Sequence, residues 1–411
     1  MPPSESPRII QIDADAFYVQ VARLIDPEGA GKARMLLVGG SPEGRGVVTS
    51  ASYEARRYGA RSAMPMGQAL RLCPGATVVG VPRGECSAKS RAINSVLERF
   101  SPIVEPASID EMYVDLSGTE KLYAPETLED TARRIRQVIE DETEIVVSVG
   151  GGTTRLIAKL AANLAKPHKS PDAAGVIIVP PGGEAEFMQR FDLAAIPGIG
   201  PKFQERLERY GLVTVNDALK HEPATLHRWL GERAGTWLYR KIRGQGSATV
   251  EKRERAKSIS RDETFSKDFD DDSVLVLELL RLADRATRDL RAHRYAARTI
   301  SVKIRDFDFK TRQKSRTLRE PVTSDAVVGR VARELFDILR NKRPVPARLL
   351  GVSLSKITPD DVVDQMALFE QDSGEKLEST RDRDLSRALD QVKERFGGDA
   401  VARGRGRSGR I

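Results

Sequence analysis

The fold is decided by residues 104–116, VEPASIDEMYVDL, in which two extended segments flank a polar turn. From Met112 to Leu116 apolar side chains alternate with polar ones, a pattern that predicts a half-buried strand. Asp110 and Glu111 lie in the turn directly before that strand. We therefore expect two carboxylates at the lip of a strand that packs on a core.

A third acid, Asp13, ends another predicted buried strand, Arg8 to Asp13, which is rich in isoleucine. A carboxylate there is costly unless it is paired or bound to a cation. Three acids at strand ends can hold two divalent metals, which activate a hydroxyl and stabilise a leaving pyrophosphate. Oxygen ligands without His or Cys favour Mg²⁺ over zinc. The spacing alone also allows ordinary solvated acidic turns.

The composition indicates a globular, multidomain chain. It has 411 residues, which suggests two to four domains, with 40% apolar and 31% charged residues and a formal net charge of +8. This basic excess permits a polyanionic partner without demonstrating one. The two cysteines, Cys73 and Cys86, and four histidines form no zinc pattern. Without an apolar leader or membrane-spanning run, a cytoplasmic protein is expected.

The chain changes character twice. Strands and helices alternate up to about residue 190, residues 192–244 are predicted to be helical, and residues 241–257 are predicted to be an exposed basic linker. A second unit of strands and helices follows, and the chain turns polar from Pro359. The fold class is therefore α+β with several domains. The Arg-Gly-rich end is expected to be disordered, although residues 385–396 have the pattern of an amphipathic helix.

Basic side chains on two predicted helices are candidates for binding phosphates. Arg155, Lys159 and Lys166 lie within about 40° of one another at 100° per residue. Tyr53 and Arg56 share a face of another helix at i and i+3. A solvated basic face and a surface Tyr–Arg pair are the alternatives from the pattern alone.

Six stretches, in order along residues 8 to 358, resemble the Y-family DNA polymerases, specifically the bacterial DNA polymerase IV branch. Each stretch alone is weak evidence, but all six in order are specific. The stretches are IDADAFY at 12–18, VTSASYEAR at 48–56, GARSAMP at 59–65, EPASIDE at 105–111, AKLAA at 158–162 with AKP at 165–167, and IPGIG at 196–200.

The resemblance implies a right-hand polymerase with palm, fingers, a helical thumb containing a helix-hairpin-helix, and an α/β little finger. Its implied boundaries are palm 1–16 and 80–180, fingers 17–79, thumb 181–243, basic linker 244–257, little finger 258–358, and a flexible tail at 359–411.

The resemblance also assigns catalytic roles. Asp13, Asp110 and Glu111, with the backbone carbonyl of Ala14, would bind two Mg²⁺ ions, and Mn²⁺ could substitute. Tyr18 would be the steric gate that excludes a ribose 2′-hydroxyl.

The other implied nucleotide contacts surround the incoming triphosphate and base. A small roof over the base pair would check its shape loosely. Asp15 is expected to cap the following helix. The triphosphate contacts are Tyr53, Arg56, Lys159 and Lys166, and the roof residues are Ser62 and Ala63.

Further contacts are implied with primer-template DNA and with a sliding clamp. The turn Pro197, Gly198, Ile199 and Gly200 would contact DNA phosphates without reading sequence, and residues 229–235 resemble a degenerate second copy of it. Lys303 and Arg305, on a predicted strand, would contact phosphates in a salt-sensitive way. The segment Gln365, Met366, Ala367, Leu368 and Phe369 resembles a peptide that binds the clamp β subunit.

The function implied by the resemblance is error-prone, template-directed transfer of dNMP to a primer 3′-hydroxyl in translesion synthesis. The chain would act without a proofreading exonuclease, as a monomer, on primer-template DNA and dNTPs. Two alternatives stay open. A palm-fold nucleotidyl cyclase would share the acids without needing a thumb or clamp peptide, and an inactive DNA- or clamp-binding scaffold would have lost a metal acid.

Overall fold

The computed structural model describes residues 6–170, 172, 174–251, 256–360, 377–397 and 400–401. The chain divides into two compact units, Met1–Glu254 and Arg255–Ile411. This division falls inside the segment for which the sequence predicts a linker. Each unit is described by itself below.

The first unit combines two sheets with helices. Its strands are β1 Ile9–Ala14, β2 Leu36–Gly39, β3 Val48–Ala51, β4 Thr77–Val79, β5 Val104–Pro106, β6 Glu111–Asp115, β7 Val147–Gly152 and β8 Val176–Ile178. Its helices are α1 Phe17–Ile25, α2 Tyr53–Arg57, α3 Met66–Leu72, α4 Arg83–Leu97, α5 Glu120–Tyr123, α6 Leu128–Thr143, α7 Arg155–Ala165, α8 Glu184–Met188, α9 Pro201–Glu208, α10 Val215–Leu219, α11 Pro223–Leu230 and α12 Glu232–Lys241.

The larger sheet of this unit has the strand order β5-β6-β1-β7-β8, with the all-buried β1 at its centre. β1 is antiparallel to both of its neighbours, β6 and β7. Ile10 and Ile12 of β1 pack into a core with α4 and α6. Helix α7 packs closely on the sheet beside Gly150, where a Cβ atom would lie 1.9 Å from the Ala162 nitrogen. Only glycine permits this approach of the helix backbone to β7.

The smaller sheet has the order β3-β2-β4, and α2 and α3 pack into its core. The segment before α3 pairs with β3, because the Ala63 N–H donates to the Val48 carbonyl at 2.8 Å. Ala63 has φ 67° in this turn. Ser62 and Ala63 are both exposed. The predicted roof residues therefore lie on a surface turn held against a strand edge.

Helices α8 to α12 share one apolar core with the outer side of α7. Leu156 and Leu160 of α7 belong to this core, together with Leu207 and Leu238. Helix α7 thus connects the larger sheet to the helical region. The helical character predicted for residues 192–244 agrees with this part of the structure.

Residues 244–251 of the predicted linker pack against the rest of the first unit, with four of them, Gln245, Ser247, Thr249 and Glu251, exposed. Arg155 binds this segment twice, with its backbone N–H on the Ser247 carbonyl at 2.9 Å and Nη1 on the Thr249 carbonyl at 3.1 Å. Val250 is 6% exposed and packs beside Ile9. The sequence hid this docking because the segment has few large apolar residues, and backbone hydrogen bonds hold most of it.

The second unit has strands β9 Ser258–Phe269, β10 Tyr295–Asp306, β11 Thr311–Val322 and β12 Ala347–Pro359, and helices α13 Asp272–Ala292, α14 Asp325–Lys342 and α15 Thr380–Phe396. Its antiparallel sheet has the order β11-β10-β12-β9. The core joins α13 and α14 to one face of that sheet. The hydrophobic pattern did not predict β9, because nine of its twelve side chains are polar and six are exposed.

Within the predicted tail, the amphipathic helix predicted at 385–396 forms as α15, Thr380–Phe396, and residues 377–396 pack on the rest of the second unit. Helix α15 lies against α13 through polar contacts: Arg291 binds Asp390 with two hydrogen bonds of 2.6 and 2.8 Å, and Lys393 binds Asp284 at 2.7 Å. The buried Glu378 carboxylate accepts the backbone N–H of Thr323 at 2.8 Å. Because charged pairs rather than apolar side chains dock this helix, hydrophobic periodicity did not predict its attachment.

Within the described part of the chain, no helix is both long and apolar enough to cross a membrane.

Candidate active site

The two central strands of the larger sheet bring Asp13 and Glu111 side by side. They are directly opposite each other in the antiparallel register of β1 and β6, and cross-strand neighbours have Cβ atoms about 5 Å apart. Asp110 immediately precedes β6, and its carbonyl accepts the Ala14 N–H at 2.9 Å. Glu111 is the first residue of the strand rather than part of the preceding turn. The three acids are therefore neighbours at one end of the sheet.

Lys159 of α7 and Lys166, the residue directly after that helix, lie against these acids. Lys166 Nζ donates to Asp13 Oδ1 at 2.8 Å, and Lys159 Nζ donates to Glu111 Oε2. Both ion pairs are partly shielded, with side-chain exposures of 14% and 8% for Lys166 and Asp13. The predicted basic face of α7 thus places two of its three cations at the acid cluster.

Each of the three acids keeps one carboxylate oxygen without a hydrogen bond from the described residues. Lys166 occupies only Oδ1 of Asp13, Lys159 and Gln11 occupy only Oε2 of Glu111, and Ser108 Oγ occupies only Oδ1 of Asp110 at 2.5 Å. Free carboxylate oxygens are the ligands that hard divalent cations prefer. The donor set therefore fits Mg²⁺.

The side chains do not form a preformed metal cage. Among the residues that the structure describes, no group of three or more His, Cys, Asp or Glu residues is arranged closely enough to hold an ion. The two ammonium groups instead supply the positive charge that the acids need.

Burial raises the pKa of Asp13 above its usual value, and Lys166 only partly offsets this effect. The same holds for Asp15, where burial outweighs the hydrogen bond from Ser148. Ionised carboxylates in a partly desolvated site favour a bound cation. Asp13 and Asp15 are therefore carboxyls whose ionised form burial disfavours despite their polar partners.

Asp13→Asn is expected to raise the melting temperature of the metal-free protein at pH 7. The folded-state pKa of Asp13 lies above its unfolded value, so its effect on folding becomes unfavourable as pH rises through the folded pKa. The gain should shrink as pH falls toward the unfolded-state pKa of about 3.9, because the carboxyl is then increasingly protonated in both states. Thermal unfolding from pH 3.5 to 8 in EDTA measures this. A melting temperature that falls at pH 7 would contradict it.

Tyr18 is the second residue of α1 and is half-buried next to the acids. Its ring meets that of the fully buried Phe17 edge-on, with centroids 5.6 Å apart. Burial, followed by the nearby Asp110 charge, raises the pKa of the Tyr18 phenol. The predicted gate residue is thus neutral, held by packing, and close to one of the predicted metal acids.

Asp15 does not cap α1, contrary to the prediction. Its carboxylate accepts the Ser148 hydroxyl at 2.9 Å and the Tyr53 hydroxyl at 3.3 Å. The N-cap residue of α1 is Ala16, in a left-handed conformation and without a side-chain cap. Asp15 therefore fixes Tyr53, one of the predicted triphosphate contacts, relative to the larger sheet.

Tyr53 is also held by a cation and by a second ring, that of His168, whose pKa burial lowers. The Arg56 guanidinium lies 5.0 Å from the centre of its ring, and the His168 ring lies 4.5 Å away on centroids. The sequence pattern predicted Tyr53 and Arg56 but missed His168. Its position two residues after Lys166, directly beyond a stretch that matches the family, was the available signal.

Arg155 does not join the other cations of its predicted stripe at the acids. Its guanidinium makes two hydrogen bonds to Glu105, of 2.5 and 2.6 Å, and lies 4.3 Å from the centre of the Tyr113 ring. Through these contacts and those with residues 247–249, Arg155 holds the segment after α12 against β5. Periodicity placed it on the right face of the helix, but it could not show which acid would bind it.

The predicted DNA-contacting turn joins a short 3-10 helix, Leu193–Ala195, to α9. Gly198 has φ 102°, and a Cβ atom there would lie 2.8 Å from the Trp237 side chain. Helices α11 and α12 form a second hairpin around Gly231, at φ 77°. The residues predicted to be a degenerate copy of the turn thus join two helices, α11 and α12, and lie close to the Gly198 turn.

The remaining predicted contacts lie in the second unit or beyond it. In β10, Lys303 forms an ion pair with Asp262 at 2.5 Å, and Arg305 donates to Thr311 at 3.0 Å. Both lie on the sheet face opposite the core strand residues. The predicted clamp peptide, residues 365–369, lies outside the described residues.

Three family models match the chain. The impB/mucB/samB family matches residues 12–163, its C-terminal domain matches residues 256–368, and the DNA polymerase-iota thumb domain matches residues 194–246. Together the matches cover both units.

Curated relatives and solved structures agree with these matches. DNA polymerase IV of Streptomyces coelicolor is 37% identical over 374 residues, 91% of this chain and 75% of the relative. That of Halorhodospira halophila is 37% identical over 353 residues, 86% of this chain and 96% of the relative. Among solved structures, a Y-family chimera, Dbh-Dpo4(243-245)-Dbh, is 26% identical with a TM-score of 0.75 over 85% of this chain and 99% of the other. An insertion ternary complex of Dbh DNA polymerase has a TM-score of 0.59 at 26% identity, over 85% of this chain and 98% of the other.

The α+β architecture, the acid cluster and these matches define a DNA-directed DNA polymerase. The chain belongs to the Y family, in its DNA polymerase IV (DinB) branch. It is a translesion polymerase whose activity depends on divalent metal and whose partners are DNA and dNTPs. The predicted family, fold class and enzyme class are therefore confirmed.

Proposed function

We propose that Asp13, Asp110 and Glu111, with the Ala14 carbonyl, hold two Mg²⁺ ions during transfer of dNMP to the primer 3′-hydroxyl. The observation that carries the proposal is the free oxygen on each of the three neighbouring carboxylates. When bound, the ions lower the pKa of the attacking hydroxyl and neutralise charge on the leaving pyrophosphate. Mn²⁺ accepts the same oxygen ligands and should substitute.

The residues around the acids bind and orient the nucleotide in this proposal. Lys159 and Lys166 would release Glu111 and Asp13 to the metals and turn to the triphosphate, which carries more negative charge. Tyr53 and Arg56 would form the opposite side of the phosphate site, kept in place by Asp15. Tyr18 would close off the space at the ribose 2′ position. Positioning of this kind supplies much of the catalysis in phosphoryl transfer.

The proposed base-pair and DNA contacts follow from side-chain size, exposure and position in the fold. Ser62 and Ala63 are small and exposed, as a loose roof requires. The turn Pro197, Gly198, Ile199 and Gly200 precedes α9, whose N-terminus favours phosphate. Lys303 and Arg305 would add salt-sensitive backbone contacts after exchanging their present partners.

Removing divalent metal is expected to abolish primer extension. Extension should stop in EDTA and return when Mg²⁺ or Mn²⁺ is added, with a steep metal dependence because two ions act together. The measurement is single-nucleotide extension on a labelled primer-template, titrated with each metal. Zn²⁺ at equal free concentration serves as a control and should restore much less. Extension that persists without divalent metal would contradict the proposal.

We further propose that residues 365–369 bind the sliding clamp and that the chain acts as a monomer in the cytoplasm. The support is the sequence QMALF, with apolar anchors and a position directly after the second unit's last strand. The buried free thiols Cys73 and Cys86 fit a reducing compartment.

Replacing both Leu368 and Phe369 with Ala is expected to weaken clamp binding by about 30-fold or more, because buried apolar anchors dominate such interfaces. Surface plasmon resonance with a bacterial clamp measures this effect. Extension without the clamp should stay unchanged. Asp372→Ala, in the same segment, is the control. Equal affinity of the double variant and wild type would contradict the proposal.

A further inference from the structure

Gln11 is a fully buried polar residue in the central strand of the larger sheet. It is 0% exposed and lies two residues before Asp13, so both side chains project from the same face of β1. Its cross-strand partners are Tyr113 on β6 and Gly150 on β7. The nucleotidyl transfer mechanism described above does not use it.

The amide of Gln11 is only half satisfied. Nε2 donates to Glu111 Oε2 at 3.2 Å. The amide oxygen Oε1 is buried and has no hydrogen-bond partner among the residues that the structure describes. Exchanging the amide nitrogen and oxygen would set a carbonyl against a carboxylate, so the orientation with the nitrogen toward Glu111 is the favourable one.

The surroundings explain why Oε1 has no partner. Helix α7 covers this part of the sheet at close range, since a Cβ atom at Gly150 would fall 1.9 Å from the Ala162 nitrogen and 2.2 Å from the Ala158 oxygen. The backbone groups of α7 are engaged within the helix. An apolar side chain at position 11 would fill this space without burying an unpaired oxygen, as Ile9 does on the same face. A buried unsatisfied group reduces stability and calls for another explanation.

We infer that Gln11 is a positioning residue for Glu111, an inference that rests on the proposed role of Glu111 as a metal ligand. Gln11 and Lys159 both donate to Oε2, which leaves Oε1 of Glu111 for the metal. When the incoming triphosphate draws Lys159 away, the neutral amide keeps its contact. The carboxylate then stays oriented at the moment when it must bind metal. Outer hydrogen bonds of this kind tune the affinity of metal ligands.

The test measures Mn²⁺ binding directly. The full chain is mixed with a primer-template whose primer ends in a dideoxynucleotide and with the matching dNTP, so that no reaction occurs. Free Mn²⁺ is then followed by electron paramagnetic resonance during a titration. Gln11→Met, which keeps the volume but removes the donor, is expected to weaken Mn²⁺ binding on the order of tenfold. The melting temperature of the metal-free variant should be no lower than that of wild type.

Two further variants separate orientation from packing. Gln137→Met removes an amide that donates to Asp141 at 2.8 Å on the exposed face of α6, and it should bind Mn²⁺ as wild type does. Gln11→His retains an N–H donor and should bind within about threefold of wild type. Unchanged affinity in Gln11→Met, or equally weak binding in Gln11→His and Gln11→Met, overturns the inference. If Gln11→Met does not fold, Gln11→His alone tests the inference. An about tenfold weaker Mn²⁺ affinity of Gln11→His would then overturn it.

The Mn²⁺ affinity of Glu111→Ala shows separately whether Glu111 is a metal ligand at all. Glu111→Ala should lose at least as much Mn²⁺ affinity as Gln11→Met. If Glu111→Ala binds Mn²⁺ as tightly as wild type, then Glu111 is not a ligand and the proposed function fails with it. If Glu111→Ala binds weakly while Gln11→Met is unchanged, only the role of Gln11 is lost.

Discussion

Asp110→Ala should lower the rate of single-nucleotide primer extension by about 10³-fold, corresponding to about 4 kcal/mol of lost transition-state stabilisation. Asp110 lies next to both β1 and Glu111, and only one of its carboxylate oxygens is held, by Ser108. Removing its side chain deletes a metal ligand without opening a large cavity, since the residue is half-buried at the sheet end. The fold should survive, so the loss falls on catalysis.

The measurement is a single-turnover extension rate in saturating Mg²⁺ and dNTP. Asp115→Ala is a matched control on the same strand, because Asp115 is at the far end of β6 and binds the Ser117 backbone N–H. The control should extend at nearly the wild-type rate. Extension by Asp110→Ala within tenfold of wild type would remove Asp110 from the metal site.

Tyr18→Ala should increase ribonucleotide incorporation relative to deoxyribonucleotide incorporation by at least about tenfold. A ring that blocks the ribose 2′-hydroxyl excludes it by steric overlap, and such overlap costs about 1–3 kcal/mol. The Tyr18 ring is fixed against Phe17 at the start of α1, so it cannot easily move aside. The ratio of kcat/KM for rNTP and dNTP opposite the same template base measures this selectivity.

Tyr58→Ala is the control for this prediction, because Tyr58 is 56% exposed at the end of α2. It should leave sugar selectivity unchanged. If Tyr18→Ala lowers both rNTP and dNTP incorporation equally, Tyr18 supports the fold of the site and is not the gate.

The sequence predicted well those features that depend on local periodicity and on short ordered motifs. The strand through Asp13 and the strand after Asp110 form as expected: every residue of β1 is buried, and the three central residues of β6 are buried between two half-buried acids. Helical periodicity also pointed Lys159 and Lys166 to the same site, although α7 ends at Ala165 and Lys166 follows it. These strands and side chains were predictable because short local patterns and the order of the family motifs both point to them.

Pairings between polar groups distant in sequence were not predictable. Arg155 binds Glu105, 50 residues away, and Asp15 binds Ser148, 133 residues away. The docking of α15 through Asp390 and Lys393 is of the same kind. A charged side chain has many oppositely charged residues along the sequence with which it could pair. Only the folded backbone brings one of them within reach.

The docking of residues 244–251 and the half-satisfied amide of Gln11 also required the structure. Residues 244–251 have few apolar side chains, so the sequence predicts a linker although Arg155 binds their backbone. Gln11 lies among the isoleucines of β1, and the sequence pattern gives no reason for a polar residue there. Helix α7 explains both features. Its Arg155 binds residues 247–249, and the helix covers Gln11 and carries Lys159, the other donor to Glu111.

The most direct test of the central claim is to locate Mn²⁺ by anomalous scattering in a crystal of the full chain with dideoxy-terminated primer-template and dNTP. The account predicts two ions, each about 2.0–2.2 Å from carboxylate oxygens, a spacing typical of Mg²⁺-type sites. Asp13, Asp110 and Glu111 should provide those oxygens, with the Ala14 carbonyl on one ion. Ions bound elsewhere, or an incoming nucleotide held while Asp13 and Glu111 stay paired to their lysines without metal, would contradict it.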